Sequence, residues 1–206
     1  YGVKSFSYEL DVRNYDEFEK FVDKTVDEFG SLDILVNIAG IGTMMPLTVM
    51  PVDLINAIID IDLKGTVYGC KAAFKYMIPQ KSGKIVNTSS IAAKACTENS
   101  SCYAAAKAGV ISLTAALARE VAQHDINVNA VLPGIVRTNM WESQLQMVAG
   151  DDEEKKKEVF ASFTKGIPLA RPQETIDIAN TILFLCTDEA CNITAQHVAI
   201  DGGYTC

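Results

Sequence analysis

Hydrophobic and polar positions follow two rhythms along the chain. Short apolar runs over residues 5–10, 34–36, 84–88, 127–131 and 197–200 predict strands. Between them, apolar residues return every three or four positions, the spacing of one helical face. The first such stretch places Phe18, Phe21, Val22, Val26 and Phe29 on one face, with Asn14 suited to cap it and Gly30 to end it. A longer one runs from about 51 to 77, with an interruption expected near Gly65 and with Pro79 and Gly83 as punctuation. Helices are also predicted over 103–121 and 175–185, and residues 139–166 read as polar and partly helical. Strands alternating with helices predict an α/β fold with a parallel sheet. The strands are almost continuously apolar, as when both faces of a sheet are covered.

Composition narrows this picture. The chain has 206 residues, 49% of them apolar and 21% charged, enough to bury a core without disulfides or metals. Asp and Glu number 26 against 18 Lys and Arg, a net charge of -8. That balance argues against nucleic acid or an anionic membrane as a partner. No apolar run approaches the roughly 18 residues of a membrane span, and no signal peptide is visible. The six cysteines form no C-x-x-C pair, and the two histidines, His124 and His197, lie far apart. No metal site is therefore expected, and the cysteines read as reduced thiols of a cytoplasmic protein. The charge run over 151–158 reads as a solvated helix face.

The strongest chemical signal is Tyr103 with Lys107, preceded by Ser90. Tyr103 and Lys107 are four apart on a predicted helix, so their side chains share a face. A phenol is a poor base at neutral pH, and a nearby ammonium favours its ionised form. Such a pair can move a proton on and off an alcohol or carbonyl oxygen. Ser90 ends a predicted strand, where an α/β fold presents side chains to a ligand crevice. Taken singly, Y-x-x-x-K is a common surface pair and Ser89-Ser90 a common turn; the order and spacing of all three give the pattern its weight.

With these residues in place, the sequence resembles the short-chain dehydrogenase/reductase family. Asn37-Ile38-Ala39-Gly40 is similar to its N-N-A-G motif, and Ser90, Tyr103 and Lys107 match its catalytic spacing. Pro133-Gly134 with Thr138 resembles its P-G-x-x-x-T segment, Asp201-Gly202-Gly203 its D-G-G, and Asp11-Val12 the pair beside the adenine ring. The resemblance spans about Asp11 to Cys206. It implies one domain over 1–206, a Rossmann-like doubly wound parallel sheet, and an oxidoreductase using NAD or NADP. It also implies that Tyr103 is the acid/base, Lys107 its modulator and a ribose contact, and Ser90 the holder of the substrate oxygen. Asp11, Val12, Asn37, Ala39, Gly40, Pro133, Gly134, Val136 and Thr138 are the implied cofactor contacts, with residues 135–138 passing the nicotinamide.

Three departures stand out. Asp62 occupies a position where the family usually has Asn, part of a water relay to the lysine. An ionised Asp donates no hydrogen bond and adds negative charge. Near Lys107 it is expected to favour the ammonium, oppose the tyrosinate and raise the working pH. Ile38 and Ala195 replace a second Asn and a Gly, as packing variants.

No G-x-x-x-G-x-G precedes Asp11. By the resemblance, roughly forty residues carrying two strands and two helices would precede this chain. The fold is therefore expected to be N-terminally incomplete, lacking the family's first two strands, which would sit between strands 5–10 and 34–36. Without them, strand 5–10 has no neighbour. The choice between NAD and NADP is then unreadable.

The resemblance makes residues 139–166 a substrate-covering segment, with Met140, Trp141, Leu145, Met147 and Val148 as pocket-wall candidates. The run Pro133 to Trp141 is similar to members acting on small polyols and hydroxyketones. Alanines after Tyr103 suit a family-like homodimer or homotetramer. The alternative reading is a non-catalytic nucleotide-binding or interaction remnant that pairs with full-length subunits.

Overall fold

The computed structural model describes residues 2–206. Helix α1 (Tyr15–Phe29) begins where the Asn14 side chain accepts a hydrogen bond from the Glu17 N–H at 3.2 Å. It ends at Gly30, whose φ of 90° lets its N–H turn back to Val26 O. Phe18 and Val22 are the buried residues of this helix.

Residues 5–10 do not form the expected strand. A strand exists by its ladder of hydrogen bonds, and among the described residues none lies beside this segment. The segment instead follows α1, with Phe6 stacked on Phe29 at 5.7 Å and Tyr8 against Phe21 at 5.6 Å.

The long helical stretch is interrupted beside Gly65, as expected, but by a change of helical hydrogen bonding and not by a break. Helix α2 (Val52–Ile58) widens into a π-turn (Ile59–Lys64), and α3 (Gly65–Gln80) continues through Pro79. Such a turn inserts an extra residue per hydrogen-bonded ring and is frequent at functional sites. Here it carries Asp62 inward.

Strands β1 (Ile34–Asn37), β2 (Gly83–Thr88), β3 (Ile126–Pro133) and β4 (His197–Ile200) form one parallel sheet in that order. Leu35 pairs in register with Ile85, and Ile85 with Val128. All three belong to one apolar layer with α1 and α3. Val86 and Val131 point to the other face and pack on Leu185 of α7 (Thr175–Leu185). Helices thus cover both faces, as the apolar strands required. β3 runs two residues past the predicted end and is buried along almost its whole length.

Helix α4 (Ser101–Val121) packs on β3 and on the π-turn, with Ala104, Ala106, Val110 and Ala118 buried. With the turn that extends it to His124, it is long and apolar enough to cross a membrane by length and composition. The charge-interrupted sequence did not suggest that. Its alanines allow close approach to the sheet, and about a third of this apolar stretch is buried. Helices α5 (Asn139–Ala149) and α6 (Glu153–Thr164) account for the partly helical stretch. Ala195 adopts φ 61°, the left-handed region that favours the Gly found there in the resembling family.

Candidate active site

A cavity of about 470 Å³ opens at the carboxyl ends of the strands, where an open parallel sheet places its ligand crevice. Ser90, Tyr103 and Lys107 all line it. Helix α4 sets Tyr103 and Lys107 one turn apart, with the Lys107 ammonium 5.7 Å from the Tyr103 ring centroid. Two hydrogen bonds staple this part of α4 to the end of β2: Lys107 Nζ donates to Thr88 O at 3.0 Å, and Ser89 Oγ donates to Lys107 O at 2.7 Å. Ser90 Oγ accepts from the Ala92 N–H at 3.1 Å. Its own hydroxyl hydrogen is left to donate to a ligand.

Asp62 stands directly behind this group. Its Oδ1 lies 2.9 Å from Lys107 Nζ, an ion pair whose angle falls outside hydrogen-bond geometry, leaving Oδ1 without an aligned donor. Its Oδ2 accepts from the Ile41 N–H at 3.1 Å. The side chains of Asp62 and Lys107 are 0% and 4% exposed. Burial pushes the Asp62 carboxyl above its ordinary value, against the opposing pull of the Lys107 ammonium and the Ile41 N–H. Gly40 covers the pair closely: a Cβ there would lie 2.7 Å from Asp62 Oδ1 and 3.1 Å from Lys107 Nζ.

The opposite wall is held by residues distant in the chain. Gln173 Oε1 accepts from the Ile135 N–H at 2.9 Å, and Gln173 N donates to Ile135 O at 3.0 Å. The Asp201 carboxylate accepts from Gly203 N, Thr205 N and Thr205 Oγ1 at 2.9, 3.0 and 2.6 Å. That turn brings Tyr204 to the cavity wall, against Gly166. Burial raises the Asp201 carboxyl, but the donors from Thr205 and the Gly203–Thr205 backbone outweigh it and hold the group below its ordinary value.

Of the residues expected to hold a cofactor, Gly40, Tyr103, Lys107, Pro133, Gly134, Val136 and Thr138 line the cavity. Asn37 lies beneath it, donating to Asn87 Oδ1 at 2.9 Å, and Ala39 is exposed outside it. Asp11 and Val12 also lie outside. Asp11 is gripped by Arg13 through Nε at 2.9 and 3.0 Å and Nη2 at 2.6 Å, which lowers its carboxyl to about 2. Val12 packs on Gly65.

These residues suit the nicotinamide end of a dinucleotide. Thr88 Oγ1, on the cavity wall, is buried with no hydrogen-bond partner, and a Cβ at Gly134 would stand 2.3 Å from Gln173 Oε1. The chain thus leaves an orphan polar atom in a residue of the wall, while Gly134 lets the backbone beside it pack against Gln173 and Asp201. No Gly-rich turn of the pyrophosphate-binding type occurs among the described residues. Nor do three or more His, Cys, Asp or Glu side chains gather as a metal would need.

Of the five wall candidates in 139–166, Met140 and Trp141 line the cavity. Leu145 is buried in the core, and Met147 and Val148 are exposed. Trp141 meets Phe163 edge-on at 5.0 Å and Phe160 at 5.7 Å, tying α5 to α6. The sequence reading missed Thr88, Phe163, Gln173 and Tyr204. Phe160 and Phe163, spaced to share a helical face after Trp141, carried a usable signal. Gln173, which holds the Ile135 backbone from behind the wall, and Tyr204, on the wall itself, arrive by tertiary folding and carried none.

A family model described as enoyl-(acyl carrier protein) reductase matches residues 1–205. The diacetyl reductase [(S)-acetoin forming] of Staphylococcus epidermidis is 37% identical over 204 residues, covering 98% of this chain and 79% of that protein. The ligand-free aldohexose dehydrogenase of Thermoplasma acidophilum superposes with a TM-score of 0.92 at 31% identity, over 99% of this chain and 80% of that one. An NAD+-bound xylitol dehydrogenase gives 0.91 at 31% identity, over 98% and 80%.

Proposed function

The chain belongs to the short-chain dehydrogenase/reductase family, and on that premise we propose that it interconverts a secondary alcohol and a ketone with NAD or NADP. Tyr103 gives or takes the proton. The observation that carries this reading is the joint placement of Ser90, Tyr103 and Lys107 on one cavity wall, with Lys107 fixed by Thr88 O and Asp62.

In the reductive direction, Ser90 Oγ donates to the ketone oxygen and holds it near the Tyr103 hydroxyl. Tyr103 then protonates that oxygen as the carbonyl carbon is reduced. Residues 135–138 would hold the nicotinamide, which would supply or take up the hydride. Lys107 keeps the phenol's surroundings polar and leaves a donor for the ribose.

The substrate in this reading is small and neutral, a hydroxyketone or diketone ahead of a polyol. Lys107 is the one charged side chain on the wall among the described residues, and Met140, Trp141 and Phe163 make the far side apolar. Similarity to a diacetyl reductase points the same way. Self-association to a dimer or tetramer through α3 and α4 belongs to the same proposal, and light scattering of the purified chain measures it.

The test is a titration with NADH and NADPH, followed by nicotinamide fluorescence and then by turnover of small diketones, hydroxyketones and polyols. Saturable binding of one cofactor and its consumption with a diketone are expected. Binding of neither cofactor, or binding without turnover of any carbonyl compound, contradicts the proposal.

A further inference from the structure

A single ammonium beside a phenol favours the phenolate. Lys107 is not single: Asp62 Oδ1 sits 2.9 Å from its Nζ, with both side chains almost wholly buried. The π-turn aims this carboxylate inward, the Ile41 N–H holds its Oδ2, and Gly40, lacking a side chain, makes room for it. A close pair of opposite charges acts at a distance as a dipole, whose field falls off faster than that of one charge.

No other group restores the lost charge. Asp60 and Lys64, on the same turn, pair with each other at 3.1 Å on the surface. Asp53 of α2, Lys71 and Lys75 of α3, and Arg119 and Glu120 at the far end of α4 are exposed. Lys94, after the turn that follows Ser90, is exposed as well. Lys84, at the start of β2, donates to Asn127 Oδ1 at 2.6 Å. Arg137, beyond β3, pairs with Glu142 at 2.6 Å. On the cavity wall, the remaining titratable side chain among the described residues is Tyr204.

We propose that Asp62 is a positioning residue that fixes Lys107 and cancels its charge at Tyr103, so that the site at neutral pH is a carbonyl reductase. Alcohol oxidation is confined to alkaline solution. The inference rests on the proton role given to Tyr103 above. In reduction, the carbonyl carbon receives a hydride from the reduced nicotinamide and the oxygen receives the Tyr103 proton. The nicotinamide is left oxidised, and solvent reprotonates Tyr103. A neutral phenol can give that proton and a phenolate cannot; oxidation needs the reverse.

The direct test needs no turnover. The ultraviolet phenolate step of the wild type minus that of Tyr103→Phe isolates Tyr103 in the free protein. Asp62→Asn should move that step to lower pH by about one unit or more. The Asn side chain still offers an oxygen to the Ile41 N–H. In turnover, wild-type oxidation at neutral pH should run below about a tenth of its alkaline rate, the effect of one pH unit in the ionised fraction. Reduction should hold its rate through neutrality. A Tyr103 step already complete at neutral pH in the wild type overturns the proposal, even if Asp62→Asn does not fold. So does a step that Asp62→Asn leaves in place. A chain that shows the expected steps but turns over no carbonyl compound sinks the proposed function and leaves the charge cancellation standing.

Discussion

Two aspartates picked out in the sequence end in opposite surroundings. Asp11 accepts four hydrogen bonds from Arg13 on the surface, three from its guanidinium and one from its backbone N–H. Asp62 makes one contact to Lys107, at 2.9 Å, in the interior. By geometry alone Asp11 has the better partner, and its carboxyl is lowered to about 2 while that of Asp62 is raised. The difference is solvent. Around Asp11, water and salt screen both charges, and the pair holds nothing else in place. Around Asp62, burial makes each charge costly unless the other is present, so the two side chains fix one another and everything bonded to them. A close ion pair therefore matters here according to what surrounds it.

Lys107→Met should break this comparison most severely. It leaves the Asp62 carboxylate buried without a cation, at an expected cost of about 3–5 kcal/mol near neutral pH. Turnover should fall by about two orders of magnitude or more. Urea unfolding across pH checks the first part. The sign follows from the raised Asp62 carboxyl: the folded state binds that proton more tightly, so protonation relieves the burial below the unfolded value and the cost grows as pH rises. The loss in Lys107→Met should accordingly shrink in acid.

Asp201 gives the opposite slope. Its carboxyl is held low, so its stabilisation is present above the unfolded value and is lost as pH falls through the folded one. Asp201→Asn should cost about 1–3 kcal/mol at neutral pH. The gap from wild type should close in acid, and Tyr204 should loosen from the cavity wall. Thermal unfolding at two pH values measures it.

The alternation of strands and helices, both covered faces and the Ser90–Tyr103–Lys107 grouping were legible in the sequence because each rests on local periodicity or spacing. The strand over 5–10 was not, because a strand needs a neighbour that residues 5–10 cannot supply. The π-turn escaped because Ile59–Lys64 keeps a helical pattern of apolar residues and differs only in its hydrogen-bond spacing. Asp62 was singled out as a departure, yet its distance from Lys107 depended on that turn. Gln173 and Tyr204 lay beyond reach because loops from the far end of the chain deliver them.

Smaller effects sharpen the contrast. Ala195→Gly should raise stability by about 1 kcal/mol by relieving the left-handed backbone at φ 61°. A shift in the denaturant midpoint reports it. Asp11→Asn should leave the unfolding midpoint unchanged at physiological salt, because the Asp11–Arg13 pair is solvent-screened. A clear loss there would mean that the segment before α1 is held more firmly than its exposed side chains suggest.

The most direct measurement compares the wild type with Tyr103→Phe in two readings, nicotinamide cofactor affinity and the rate of reduction of a small diketone. The account predicts affinity within about threefold, since the phenyl ring keeps its place on α4, and a rate lower by about two to four orders of magnitude. A Tyr103→Phe protein that reduces the diketone at the wild-type rate would contradict it.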